Sequence, residues 1–127
     1  MRRSDQRRAA VVSLYQEDVT RRPLFELVPR DATDFTRELV DGVARDRETL
    51  DALIERYSQG WTLDRIAPLE RNIMRVAIYE LLERDDIPDE VAIDEAVEAA
   101  KELCGVDAPG FVNGILGAVV RERAAAR

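Results

Sequence analysis

The chain has 127 residues and 14.4 kDa, room for one ordinary domain, and its 46% hydrophobic and 35% charged residues supply a core despite a net charge of -7. With no histidine and a single cysteine, Cys104, the chain cannot build a Cys/His zinc site, a Ser-His-Asp triad, a Cys-His pair or an internal disulfide. Apolar runs such as Val91, Ala92, Ile93 fall far short of the roughly 18 to 20 residues that span a bilayer, and none follows the basic start as in a signal peptide, so a soluble, cytoplasmic protein without membrane partners is expected.

Hydrophobic spacing of helical period runs through nearly the whole chain, and no pair of alternating runs flanks a hairpin turn. This predicts one all-α domain over residues 1–127 with about seven helices, residues 1–4 forming a flexible basic tail and residues 124–127 a frayed end. Ser4 or Asp5 caps a first helix to about Val19, with Val11, Tyr15 and Val19 on one stripe and Val12 alongside. Pro23 and Pro29 bracket Leu24 to Val28, a short helix or a pinned loop. A long helix follows from Asp31 or Thr33 to about Ser58, ended by Gly60. Gly42 inside it marks either a close helix crossing or a break into two helices.

Trp61 to Ile66 form a connector before Pro68 at the first position of a central helix. From Leu69 to Leu82 its apolar residues go nearly all round the axis, as in a helix buried on most sides. After a turn at Asp85 to Pro88, the next helix carries Ile93, Ala96, Val97, Ala100, Leu103 and Cys104 on one face until Gly105. A last helix opens at Asp107, Ala108 and Pro109, with Val112, Leu116, Val119 and Val120 inward and Arg121 and Arg123 in solvent. Charge is uneven: Arg2, Arg3, Arg7 and Arg8 make the start basic, whereas Asp85 to Asp107 carry nine acids against Lys101, a helix-surface lysine.

Several segments share one resemblance: RRSDQRRAAVVSLYQ, FTRELVDGV followed by LDALI, GWTLDRIAPLERNIMRVAIYELL, IPDEVAIDEAVEAAKEL and PGFVNGILG. In order and spacing they resemble the bacterial transcription antitermination factor family NusB, over more than half the chain. The resemblance implies two small packed antiparallel helical bundles and no catalysis, cofactor or metal. It also implies a basic first helix on the boxA element of nascent single-stranded RNA. The implied partners are the ribosomal protein NusE and elongating RNA polymerase with other Nus factors, in ribosomal RNA transcription.

Arginines around a helix's first turn oppose its macrodipole, so helix stability does not account for them, whereas a phosphate ligand does. Arg2, Arg3, Arg7 and Arg8 are therefore candidates for RNA, the alternative being a solvated tail. Gln6 is a candidate to read a base edge, and Tyr15 stacks a base or fills the core. Phe111, beside Pro109 and Gly110, is the candidate for stacking because its family counterpart lies near the RNA site; otherwise it staples its helix. Asn113 bonds RNA or a loop carbonyl. Asp107 takes the family's acidic loop position, where a carboxylate repels RNA, or caps its helix. The sequence VDAP lacks the extra basic residue that some members carry before this Phe, implying modest RNA affinity without a partner.

The resemblance puts Leu69, Glu70, Arg71 and Met74 at the NusE interface, with a surface ion pair as the alternative for Glu70 and Arg71. Apolar surface near Leu69 and Met74 also suits a homodimer that would mask that interface. Arg75 and Glu95 are expected to pair across two helices as a structural lock. Asp94, Glu98 and Glu102 steer a basic protein or form a solvated face. Two rivals are the RNA-binding domain of RNA cytosine methyltransferases, disfavoured because no catalytic domain follows by Arg127, and a hydrolase using Asp85 with Asp89.

Overall fold

In the computed structural model, which describes residues 1–126, the chain forms α1 (Arg3–Thr20), α2 (Leu24–Leu27), α3 (Asp34–Tyr57), a 3-10 turn (Leu63–Arg65), α4 (Pro68–Glu83), α5 (Asp89–Leu103) and α6 (Ala108–Ala125). The expected all-helical class holds, and the chemistry of the boundaries explains most of it. Thr33 caps α3, its hydroxyl accepting from the Thr36 N–H. Gln59 and Gly60, both at positive φ, turn the chain after α3, and Pro68 supplies a first helical residue that needs no N–H donor.

At the N-terminus the cap differs from expectation. Arg2 holds the cap position without a side-chain bond, and Ser4 and Asp5 lie inside α1. Ser4 instead donates to Glu95 Oε1 at 2.8 Å. Residues 1–4 are thus not all tail, because Arg3 and Ser4 are helical. At the other end α6 continues through Ala125, and Arg127 lies outside the described residues.

The helix α4 is the centre of the molecule: Ile73, Met74, Val76, Ala77, Ile78, Tyr79 and Leu81 are all buried, as its all-round apolar pattern predicts. Side-chain pairs show that α4 runs antiparallel to α1, with Arg7 on Glu80 near one end and Asp18 on Arg71 near the other. It is antiparallel to α3 as well, through Asp51 on Arg75 and Glu38 on Tyr79. Helices α5 and α6 close the other side, with Ala92, Ala96, Ala99 and Ala100 and with Val112, Ile115, Leu116 and Val119 facing inward.

Two expected stripes need correction. On α1 the buried residues are Arg7, Ala10, Val11, Ser13 and Leu14, while Val12 and Val19 are exposed and Tyr15 is half-buried. On α5 the alanines face inward, Ile93 and Val97 are half-buried and Leu103 is exposed. Small side chains let helix axes approach closely, so alanine defines both seams where larger residues looked the better candidates. Arg123, expected in solvent, donates to Leu81 O and to Asp89 and ties the end of α6 to α4 and α5.

Gly42 is a close crossing within an unbroken α3. A Cβ added there overlaps Cε1 and Cζ of the Tyr79 ring on α4. Gly42→Ala should therefore destabilise the fold by about 1 to 3 kcal/mol despite alanine's better helix propensity. In a Tyr79→Leu background the same substitution should cost less, as read by a double-mutant cycle in urea; equal costs would show that the ring is not the obstacle.

Candidate nucleic-acid interface

The four N-terminal arginines do not share one environment. Arg7 is only 7% exposed, and its Nε and Nη2 donate to the Glu80 carboxylate at 2.8 to 3.0 Å. Glu80 is 1% exposed; burial pushes its carboxyl up, against the opposing pull of Arg7. Arg7 is thus committed to Glu80 and leaves almost no surface for a phosphate, unlike the exposed RNA ligand expected of it. In sequence, an arginine one turn into an amphipathic helix looks the same whether its partner is a phosphate or a carboxylate 73 residues away.

Arg2, Arg3 and Arg8 remain accessible. Arg2 is exposed and lies 3.6 Å from Asp5; Arg3 is exposed, its guanidinium 4.2 Å from the Phe35 ring centre. Arg8 is half-buried, donates to Ser4 O and sits 3.1 Å from Glu102 of α5. Gln6, expected to read a base, is engaged within the fold: its carbonyl oxygen accepts from the Thr33 hydroxyl at 2.6 Å and its Nε2 donates to Met1 O. The bond from Thr33 fastens the start of α1 to the start of α3. Tyr15 is half-buried, between its two expected roles.

At the first turns of α4 a second ionic cluster binds three helices. Asp18 accepts two hydrogen bonds from Arg71 at 2.8 and 2.9 Å, one from Asn72 and one from Arg75. Arg75 also forks onto Asp51 at 2.7 and 3.0 Å. Arg75 and Glu95 therefore do not pair: Arg75 points to α1 and α3, while Glu95 receives Ser4 and lies 3.9 Å from Arg7. Burial opposes the charge on Asp18, but the bonds from Arg71 and Asn72 and the nearby guanidinium charges outweigh it and hold its carboxyl at about 2, below the ordinary 3.8.

The expected partner edge on α4 is divided. Met74 is 0% exposed and can face neither NusE nor a second copy, and Arg71 is committed to Asp18 and to the carbonyls of Leu63 and Ile66. Leu69 and Glu70 are half-buried and keep surface, and burial alone pushes the Glu70 carboxyl up. All-round burial is what an apolar central helix produces, and it removes Met74 from any interface.

Phe111, in the first turn of α6, is half-buried and lines two adjoining recesses together with Trp61, a residue given no role from sequence. From sequence Trp61 is only the first residue of the connector before α4. Asp107 is exposed at the cap position without a side-chain cap bond, and Asn113 is exposed on α6. Among the described residues no group of three or more His, Cys, Asp or Glu is arranged to hold a metal, and no helix is long and apolar enough to cross a membrane.

An all-helical domain built on one buried central helix, with exposed guanidinium groups on its first helix, is the class of protein the fold defines. Its sequence profile matches that of the NusB family over residues 4–121. The transcription antitermination protein NusB of Rubrobacter xylanophilus is 43% identical over 122 residues, 91% of this chain and 88% of that protein. NusB of Frankia casuarinae is 52% identical over 88 residues, 69% of this chain and 65% of that protein. Among solved structures, T. maritima NusB superimposes with a TM-score of 0.89 at 34% identity, covering 96% of this chain and 92% of that one. A structure described as antitermination factors NusB and NusE in complex with dsRNA gives 0.83 at 27% identity, over 96% of this chain and 99% of that one. The chain belongs to the NusB family.

Two outcomes follow from these clusters. Arg7→Ala strands a buried carboxylate and should cost about 3 to 5 kcal/mol in denaturant unfolding, with much of the loss recovered by pairing it with Glu80→Leu, whereas Arg3→Ala should cost no more than about 1 kcal/mol. Equal small losses would place Arg7 at the surface. Because the folded-state pKa of Asp18 is depressed, its contribution is in place above 3.8 and is lost as pH falls through about 2. The stability gap between the parent and Asp18→Asn should therefore narrow between pH 4 and pH 2; a gap that ignores pH would show that the cluster does not hold Asp18 ionised.

Proposed function

We propose that this chain is a non-catalytic adaptor in transcription antitermination. It holds boxA-type nascent RNA through Arg2 at the cap of the first helix, through Arg3 and Arg8 within it and through Phe111, and it receives a NusE-type ribosomal protein at the edge formed by Leu69 and Glu70. In this reading the assembly rides on elongating RNA polymerase with other Nus factors during ribosomal RNA transcription, in the cytoplasm. The observation that carries it is the similarity to the NusB of a solved complex with NusE and RNA, which extends over 96% of this chain.

The physical chemistry supports that division of labour. Exposed guanidinium groups on α1 offer phosphate contacts where the chain is locally basic, and the acids of α5, including Asp94 and Glu98, favour a basic protein. Two RNA-contacting proteins held side by side convert the second contact into a local one, so joint binding exceeds either alone.

The test is anisotropy of labelled boxA-like single-stranded RNA, a scrambled strand of equal length and a duplex, each with and without NusE. Expected are sequence-dependent binding that tightens with NusE, and a loss of roughly tenfold or more in the Arg3→Ala/Arg8→Ala variant. Log affinity should fall by about 0.7 per neutralised phosphate for each log unit of salt. Equal weak binding to all three RNAs, indifferent to NusE and to the arginines, would overturn the reading.

A further inference from the structure

We propose that Phe35 is a positioning residue for the RNA interface: its ring holds the guanidinium of Arg3 ready for a backbone phosphate and leaves that group's charge and N–H donors unspent. This rests on the RNA-binding reading above and deepens it, because Phe35 belongs to α3 and acts on the strand only through Arg3.

The four arginines at the start of the chain differ in what holds them. Arg2 lies 3.6 Å from Asp5, Arg7 is bonded to Glu80, and Arg8 lies 3.1 Å from Glu102. Arg3 is exposed and makes no ion pair among the described residues; its guanidinium carbon sits over the Phe35 ring, 4.2 Å from the centre. For an anionic ligand the difference is large. A carboxylate neutralises a guanidinium and occupies its in-plane N–H groups, which a phosphate must then win back. An aromatic face attracts the same cation through its π cloud, so a stacked guanidinium keeps the donors around its rim for another partner.

The ring is itself held in place. Phe35 is 8% exposed and stands in the first turn of α3, and hydrogen bonds tie the chain to α1 on both sides of it: Thr33 donates to Gln6 Oε1 at 2.6 Å and Thr36 donates to Gln6 O at 2.9 Å. Two further guanidinium groups, those of Arg7 and Arg84, lie 5.3 Å from the ring centre. Both spend their donors on carboxylates, Arg7 on Glu80 and Arg84 on Glu38 and Asp86. Of the three guanidinium groups around this ring, Arg3 alone is left with donors for an outside ligand.

An arginine at an exposed helix end otherwise samples many rotamers, and ordering it costs affinity at the moment of binding. A stack formed in advance removes part of that cost. Phe35 thus contributes to RNA affinity without surface of its own to offer the strand.

The test compares the intact parent with Phe35→Leu, which keeps an apolar side chain but loses the ring, and Phe35→Tyr, which keeps the ring. Each is made alone and with Arg3→Ala, checked for folding by circular dichroism, and titrated with labelled single-stranded RNA at moderate salt. Phe35→Leu should weaken binding by about three- to tenfold in the parent and by much less where Arg3 is already alanine, whereas Phe35→Tyr should bind as the parent does. In nuclear magnetic resonance spectra of the free protein, the ring current should shift the Arg3 side-chain signals upfield in the parent and in Phe35→Tyr but not in Phe35→Leu. Equal losses from Phe35→Leu with and without Arg3 would make the ring a packing residue only and overturn the proposal. Unshifted Arg3 signals in the parent would overturn it too, a result that needs no folded variant. If Arg8→Ala weakens RNA binding and Arg3→Ala does not, the proposal falls while the adaptor reading stands. RNA binding indifferent to both arginines would overturn the two together.

Discussion

Burying α4 on nearly every side forces polar groups into the core, because a helix of 16 residues with this sequence carries Asn72, Arg75 and Glu80 inward with its apolar side chains. Charged and amide groups removed from water must find partners, and here the partners come from other helices. Glu80 takes Arg7; Arg75 takes Asp51 and, with Arg71 and Asn72, Asp18. The first helix is thereby fastened to α4 at two points eleven residues apart on its own sequence, about 16 Å at 1.5 Å per residue. Two fixings along one axis set both its tilt and its rotation. The face that α1 turns outward, with Arg3 and the accessible part of Arg8, is thus decided by charges that lie buried or half-buried against α4.

That dependence explains how far the sequence could be read. Helical period, the turn at Gly60 and Pro68 at the start of α4 are local signals that held, and of the two starts open for α3 the structure takes Thr33. The family likeness is carried by motifs on the same elements, chiefly the central helix and the VNG segment of α6. What failed was pairing across the chain. Arg7 and Arg3 are the same residue type on one helix, and only the position of Glu80 separates a core arginine from a surface one. Arg75 pairs with Asp18 and Asp51 where Glu95 was the expected partner, because α4 presents that side chain to α1 and α3. Gly42 posed a fair question from sequence, but its answer required knowing that Tyr79 lies against it.

Hydrophobicity misled in a related way. Val12 and Val19 outrank alanine on any scale, yet Ala10 and the alanines of α5 line the seams because close packing rewards small residues where helix axes converge. Met74 was misplaced for the opposite reason, since flexibility and an apolar surface are equally suited to an interface and to an enclosed core. Trp61 left no clear mark because a single aromatic residue in a connector has no period, and its neighbour Phe111 comes from a helix distant in sequence.

Arginine supplies nearly all the positive charge, 18 residues against one lysine, and the structure uses it in two ways. Inside, the planar fork matches a carboxylate twice over, as Arg7, Arg71 and Arg75 do, and a lysine would leave part of each carboxylate unsatisfied. Outside, the same fork suits phosphate and stacks on rings. A net charge of -7 is compatible with holding a polyanion because fields decay within about 8 Å at physiological salt, so the strand responds to the local patch and not to the total. Acids concentrated on α5, and Glu70 and Asp107 on one side of the Trp61 and Phe111 pair, then become part of the design. In the proposed reading these acids would disfavour nucleic acid where they are exposed and favour a basic protein there, except beside Arg8, whose charge Glu102 partly offsets.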